Sequence, residues 1–218
     1  MVKKENEEFM AGAIEAVKNA GLFIAGSEHL ETLADVAADS YRDYPLHLWF
    51  MNGKYDYEDS KTVMLVTLKA MLSTGLIYAE SEEMNGFTVW MPPHFTGSST
   101  FSFIANGGMK ILFHGGISTI SKLIKYESFA MGLKKKYTNN EDCYLYNLSV
   151  RTAAQGKGIA SKLLKPMLEY CAQQNKDVYL ETNKAKNVTM YEHFGFKLCE
   201  ETLIPKSNVN HYAFLKKP

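Results

Sequence analysis

The chain has 218 residues, 46% hydrophobic and 12% aromatic, which suffices for the packed core of one large domain or two small ones. Its 24 basic and 24 acidic residues cancel, so the composition argues against a nucleic-acid-binding surface or a generally cationic protein. No apolar run approaches the roughly 18 residues of a membrane span. The start, MVKKENEEFM, is charged and lacks the apolar core of a secretory signal, and Cys143, Cys171 and Cys199 lie far apart with no CxxC, so a cytoplasmic setting is expected, without a disulfide framework or structural zinc.

In chain order, residues 3–20 read as a helix with Phe9, Ala13, Ile14 and Val17 on one face. Leu22 to Ile24 is a short strand. A second helix opens at Ser27 or Glu28, with Ser27 as candidate N-cap, and runs to about Tyr41 with Leu30, Leu33, Val36 and Ala37 inward. Tyr44-Pro45 interrupts it, because the residue before proline avoids helical geometry. His47 to Met51 is an aromatic segment able to restart a helix, and another helix fits Glu58 to Ser73. Leu76–Glu80 and Gly86–Met91 form a hairpin closed by Pro92-Pro93. Residues 94–136 carry no strand pattern; glycine pairs at 107–108 and 115–116 cut them into helical pieces, ended by Lys134-Lys135-Lys136. The rest reads as strand, helix, strand (Val178–Thr182), helix, strand (Lys197–Glu201) and a last strand, His211–Leu215. There is no repeat, low-complexity tract or linker, so one mixed α/β domain spanning 1–218 is the simplest organisation.

The most informative stretch is YLYNLSVRTAAQGKGIA, Tyr144 to Ala160. A strand enters a short polar loop, and Gln155-Gly156-Lys157-Gly158-Ile159-Ala160 then opens an amphipathic helix carrying Leu163, Leu164, Met167, Leu168 and Cys171 at spacings of three and four. Unpaired N–H groups and the positive end of the helix dipole converge there, which suits a phosphate. Glycine at 156 and 158 keeps a Cβ out of the way. A GxxxxGK[ST] loop is absent. A dinucleotide GxGxxG fails because Ser161 stands at the third glycine, and Glu181 follows Gly158 by 23 residues. Gln155, Gly158 and Ala160 satisfy instead every defined position of Gln/Arg-x-x-Gly-x-Gly/Ala, the pyrophosphate loop of acyl-CoA-dependent N-acetyltransferases.

Downstream come LET (180–182) and NVTMYEHFGF (187–196). With LSV and QGKGIA, these strings stand in the order and spacing of the GCN5-related N-acetyltransferase (GNAT) superfamily, which the chain resembles most closely over residues 142–200. WMPP at 90–93 and the long helical segment behind it are similar to a small-molecule branch that includes puromycin acetyltransferase-like sequences. The resemblance implies a central, mixed, mostly antiparallel sheet flanked by helices, a helical insert at about 94–136, and a cofactor entering where two parallel strands splay apart.

It also implies roles. Backbone groups at Leu148 and Val150 pair with the pantetheine arm of acetyl-CoA. The amides of Gln155, Gly156, Lys157, Gly158, Ile159, Ala160 and Ser161 hold the pyrophosphate, and Lys157 either adds charge or is merely solvated. Asn187 contacts the cofactor or caps its helix. Tyr191 protonates the departing thiolate, against the alternative of packing beside Phe194 and Phe196. His193 is expected at the surface. The glutamate that serves histone-type members as base is missing, because Tyr144 stands at its position, eleven residues before Gln155. Glu80, Glu141, Asp142 and an ordered water chain are the alternatives, and Cys143 is expected to be a buried structural thiol. Trp90, Phe101, Phe103, Ile104, Ile111 and Phe113 are candidates for an amphipathic acceptor wall. The expected activity is acetyl transfer from acetyl-CoA to a primary amine of a small molecule, without a metal, nucleic acid or membrane; a homodimer is left open. Protein N-terminal or lysine acetylation, and a non-catalytic acyl-CoA-binding module, are the alternatives.

Overall fold

A computed structural model describes residues 2–97, 107, 110–111 and 116–218. Its centre is a seven-stranded sheet in the order β1-β2-β3-β4-β5-β7-β6. The strands are β1 (Phe23–Ile24), β2 (Leu76–Ala79), β3 (Gly86–Met91), β4 (Cys143–Val150), β5 (Val178–Thr182), β6 (Lys197–Leu203) and β7 (Asn210–Lys216). Every neighbouring pair is antiparallel except β4 and β5. The parallel pair is joined by the long connection through residues 151–177, which contains a helix, as a chain can return parallel to itself only through such a crossover.

Seven helices flank the sheet among the described residues: α1 (Val2–Asn19), α2 (Leu30–Ser40), α3 (Pro45–Phe50), α4 (Tyr57–Leu72), α5 (Gly116–Tyr137), α6 (Ile159–Gln173) and α7 (Lys186–His193). Alternation along the central strands sorts the core into two layers. Cys143, Leu145, Val178 and Leu180 face α1 and α6, and pack with Phe9, Ala13, Val17, Leu163, Leu164, Met167 and Tyr191. Tyr144 and Tyr179 face the other way, with Leu33, Val36 and Ala37 of α2 and Met64 and Leu68 of α4.

Several boundaries differ from the sequence reading for physical reasons. Ser27 is not an N-cap: Ser27–His29 is a 3-10 turn preceded by Gly26, whose N–H donates to His29 Nδ1 at 3.0 Å. The helix after the proline break begins at Pro45 rather than His47, because proline's fixed φ suits a first helical position. Of the proposed acceptor wall, Ile111 is buried against Met51, Val63 and Val66, and Trp90 sits in the α1/α6 core layer. Both serve core packing. Phe101, Phe103, Ile104 and Phe113 lie outside the described residues, as does most of the insert before α5. No helix among the described residues is long and apolar enough to cross a membrane.

Candidate active site

β4 and β5 stay paired only from Cys143↔Val178 to Leu145↔Leu180. Beyond Leu145, β4 continues to Val150 along β3, while β5 continues through Glu181 and Thr182 along β7. The two strands therefore part, and the backbone of β4 that faces β5 is left without a strand partner from Tyr146 onward. A bulge on β4 marks the parting: Val89 pairs with Asn147 and Trp90 with Leu145, so Tyr146 is the extra residue.

At the far end of β4 the phosphate-type loop is pinned from three sides. Arg151 N–H donates to Asn85 O at 2.8 Å, Thr152 N–H to Asp39 Oδ2 at 2.6 Å, and Arg151 Nη2 to Asp35 Oδ2 at 2.8 Å. Asp35 also accepts from the Tyr57 hydroxyl, and Gln155 Nε2 reaches back to Val150 O at 3.1 Å. Gly156 and Gly158 have φ of 75° and 79°, the left-handed region open to glycine, and a Cβ at either would meet nothing within 4 Å. Gly158 occupies the N-cap of α6, so no side-chain cap takes up the first N–H groups of that helix. Residues 155 to 158, Lys157 included, are exposed, and Ile159, Ala160 and Ser161 are half-buried. This surface fits a pyrophosphate: donors, a helix dipole, and two glycines leaving room for oxygens.

From the parting strands a cavity of about 480 Å³ opens. It runs through the sheet, for its walls include Leu145, Leu148 and Tyr191 from the α1/α6 side and Tyr144, Tyr146 and Glu181 from the α2/α4 side. Tyr191 is buried, its ring 5.8 Å from Phe214 and 5.9 Å from Phe196, so it packs and lines the cavity at once. Burial holds its phenol well above the ordinary range, with the Tyr44 and Tyr41 rings nearby adding to the shift. Asn187 is no helix cap, since Ala185 holds that position; its Nδ2 donates to Thr182 Oγ1 at 3.0 Å on the cavity wall. Tyr44 touches the same hydroxyl at 3.1 Å and accepts the Asn183 N–H at 2.8 Å. Val150 lies beyond the cavity, at the loop end of β4, and His193 is exposed against Phe194.

The proposed bases fall elsewhere. Both oxygens of Glu80 accept backbone N–H groups, from Asn85 and Gly86 at 2.8 Å each, which shapes the β2–β3 turn. Asp142 is buried in an ion pair with Lys134 Nζ at 3.0 Å, and Glu141 is exposed. None of the three lines the cavity. Cys143 is a buried thiol, its pKa pushed up by the Cys171 thiol beside it and by burial.

The carboxylate that does line the cavity is Glu181, which the motif comparison passed over. Its side chain is 3% exposed. Tyr144 donates to its Oε2 at 3.0 Å and Tyr179 to its Oε1 at 2.8 Å. His211, fully buried, places Nε2 3.7 Å from Oε1; Asn183 Nδ2 lies 3.3 Å from the ring's Nδ1, which assigns the ring proton to Nε2, facing Glu181. The tyrosine that stands where histone-type members carry glutamate thus holds a glutamate on the next strand. The sequence signal was available: an acidic residue inside a buried apolar strand requires partners. Tyr41, Tyr44, His47 and Glu127 complete the wall and were also unassigned by sequence. Among the described residues no cluster of three or more His, Cys, Asp or Glu could hold a metal ion.

A family model described as an acetyltransferase (GNAT) domain matches residues 121–212, spanning α5 to β7 and including Glu181, Tyr191 and the phosphate-type loop. The chain is 23% identical over 182 residues to an uncharacterized N-acetyltransferase of Schizosaccharomyces pombe, covering 80% of this chain and 73% of that protein. Among solved structures, it resembles a protein described as histone acetyltransferase HPA2 and related acetyltransferase from Corynebacterium glutamicum, with a TM-score of 0.63 and 16% identity over 90% of this chain and 95% of that one. It also resembles arylalkylamine N-acetyltransferase 2 of Aedes aegypti, with a TM-score of 0.60 and 13% identity over 90% and 97%.

Proposed function

We propose that this chain, whose residues 121–212 match an acetyltransferase (GNAT) domain model, is a cytoplasmic, single-domain N-acetyltransferase of that superfamily that moves an acetyl group from acetyl-CoA to the primary amine of a small molecule. One observation carries the reading: Tyr191 and Glu181 line a single cavity where β4 leaves β5. Acetyl-CoA, when bound, supplies an activated thioester. The glycine loop and the helix start from Gly156 to Ser161 suit its pyrophosphate, whereas the Gln155 N–H is given to Thr152 O at 3.3 Å, and the unpaired edge of β4 around Leu148 suits a pantetheine arm.

Glu181 takes a proton from the incoming ammonium, leaving a nucleophilic amine, and passes that proton on to solvent. The carbon–nitrogen bond forms as the carbon–sulfur bond breaks. Tyr191, kept protonated by burial, gives its proton to the sulfur and recovers one from the newly acylated nitrogen. Lining that is largely aromatic and apolar favours a small acceptor over a polypeptide, which would call for an open acidic groove. The name of the mosquito relative, an arylalkylamine acetyltransferase, points the same way.

The test is release of free thiol from acetyl-CoA with a panel of aromatic, alkyl and diamine primary amines. Tyr191→Phe is expected to lower kcat by about 10²-fold or more while KM for acetyl-CoA changes little. Unchanged turnover in that variant would remove Tyr191 from the mechanism. No turnover with any amine, alongside retained acetyl-CoA binding, would favour a non-catalytic module.

A further inference from the structure

Two hydroxyls on the cavity wall carry one proton more than their protein partners accept. Tyr44, the N-cap residue of α3, places its hydroxyl 3.1 Å from Oγ1 of Thr182, the last residue of β5. Three N–H groups converge on this pair. Asn183 N–H donates to the Tyr44 hydroxyl oxygen at 2.8 Å, Asn187 Nδ2 to Thr182 Oγ1 at 3.0 Å, and Lys184 N–H to the same Oγ1 at 3.5 Å. An amide hydrogen can only be given, so all three occupy acceptor sites on the two oxygens, and the bond between the hydroxyls occupies a fourth. With two lone pairs to each oxygen, the pair has no acceptor site left. It does hold two O–H protons, and the bond between the hydroxyls uses one, whichever oxygen donates. The other proton has no acceptor among the described residues.

That proton is held firmly. Burial raises the Tyr44 phenol above its ordinary range, and an aliphatic hydroxyl does not ionise near neutral pH. The pair also stands beside Tyr191. Thr182 shares a face of β5 with Leu180, which packs in the same core layer as Tyr191, and Asn187 lies four residues from Tyr191 on α7. Oxygens already filled by N–H donors cannot receive the N–H of an amine, so the partner of the remaining O–H is an acceptor atom. Acetyl transfer gathers negative charge on two such atoms, the carbonyl oxygen and the sulfur, and Tyr191 serves the sulfur. Resting on the acetyl-transfer reading above, we infer that Tyr44 and Thr182 form a further catalytic element, whose remaining O–H donates a hydrogen bond to the acetyl carbonyl oxygen. The bond strengthens as the carbon–nitrogen bond forms and charge collects on that oxygen, then weakens as the carbon–sulfur bond breaks; no proton changes hands.

The experiment records the carbonyl stretch of acetyl-CoA, labelled with carbon-13 at the carbonyl and bound to the full chain, by infrared difference spectroscopy. Donation to the oxygen lowers the frequency, so the band should lie lower in the wild type than in the double variant Tyr44→Phe with Thr182→Val. Either single variant still leaves one O–H in the pair, so each should move the band only part of the way and lower kcat by less than about tenfold. The double variant should lower kcat by about 10²-fold or more, beyond the product of the two single losses, with KM for the amine changed less than about threefold. An acetyl-CoA-induced rise in unfolding temperature shows that each variant folds and binds. A band unmoved in the double variant, or a loss that appears in KM for the amine and not in kcat, overturns the inference and leaves acetyl transfer intact. If the double variant does not fold, a band unmoved in both single variants overturns it equally. If the wild type acetylates no amine, the catalytic reading fails on its own and the band still decides the hydrogen bond; if acetyl-CoA does not bind, both readings fall.

Discussion

His47 shows how a single residue ties the site to pH. Its ring is buried beside Tyr41 and bonded to Ser60, and desolvation lowers its pKa from about 6.5 to about 4. Because the folded value is depressed, the unfolded chain binds the extra proton first; the stabilising contribution is whole above pH 6.5 and is lost as pH falls toward 4. The shift corresponds to roughly 3 kcal/mol. His47→Gln, which can keep a hydrogen bond to Ser60 but cannot titrate there, should remove most of this acid sensitivity, measured as unfolding free energy by denaturant titration at pH 7 and pH 4. Equal losses in the two proteins would show that His47 is not desolvated as described. Legibility at this scale was uneven. Tyr191 was readable because its position is fixed by a local string with Phe194, Gly195 and Phe196. Glu181 was not, because its importance depends on Tyr144, 37 residues earlier in the chain, and on His211. Asn187 reads from sequence as a cofactor contact or a helix cap; in the structure its bond is to Thr182 and not to its own helix end.

At the scale of elements, the join between α5 and β4 is the point most sensitive to substitution. Lys134, in the last turn of α5, is 1% exposed, and Asp142, just before β4, is 0% exposed; their 3.0 Å ion pair is sealed inside the protein, with Asp142 Oδ2 lacking a partner among the described residues. Removing one member leaves a buried charge, so Asp142→Leu or Lys134→Met should each cost about 3–5 kcal/mol, whereas the two together should cost much less than the sum. Additive losses in a double-mutant cycle would mean the pair is not coupled. The lysine run at 134–136 was visible in the sequence as a helix end, but burial of its first member was not, since it depends on which turn faces the sheet. Strands and helices with strong periodicity, such as β5 and α6, were placed closely; β5 matches the expected Val178–Thr182. Elements set by turn chemistry, the 3-10 turn at Ser27 and the start at Pro45, shifted by a few residues.

Across the whole molecule, the proposed function draws on one departure in an otherwise antiparallel sheet. The parallel pairing of β4 with β5 lasts three residue pairs and then opens, and the helix that makes the crossover starts at the phosphate-type loop. The proposed anion site and the cavity are therefore two ends of the same strand, β4, with α2 locked to the loop through Asp35 and Asp39. The sheet and the loop were legible because each is written in contiguous residues. The cavity was not, for it gathers Tyr44, Glu127, Tyr146, Glu181 and Tyr191 from five separate elements or joins. The most direct measurement is thermal unfolding of the purified chain titrated with acetyl-CoA, beside Gly158→Asp, which places a Cβ and a negative charge at a left-handed position in the loop. At about a hundredfold excess over the dissociation constant, the wild type should gain about 2.7 kcal/mol and unfold roughly 5–10 °C higher, and the variant should show no rise. A wild type indifferent to acetyl-CoA, or a variant that responds equally, would contradict the assignment of this loop and with it the proposed reaction.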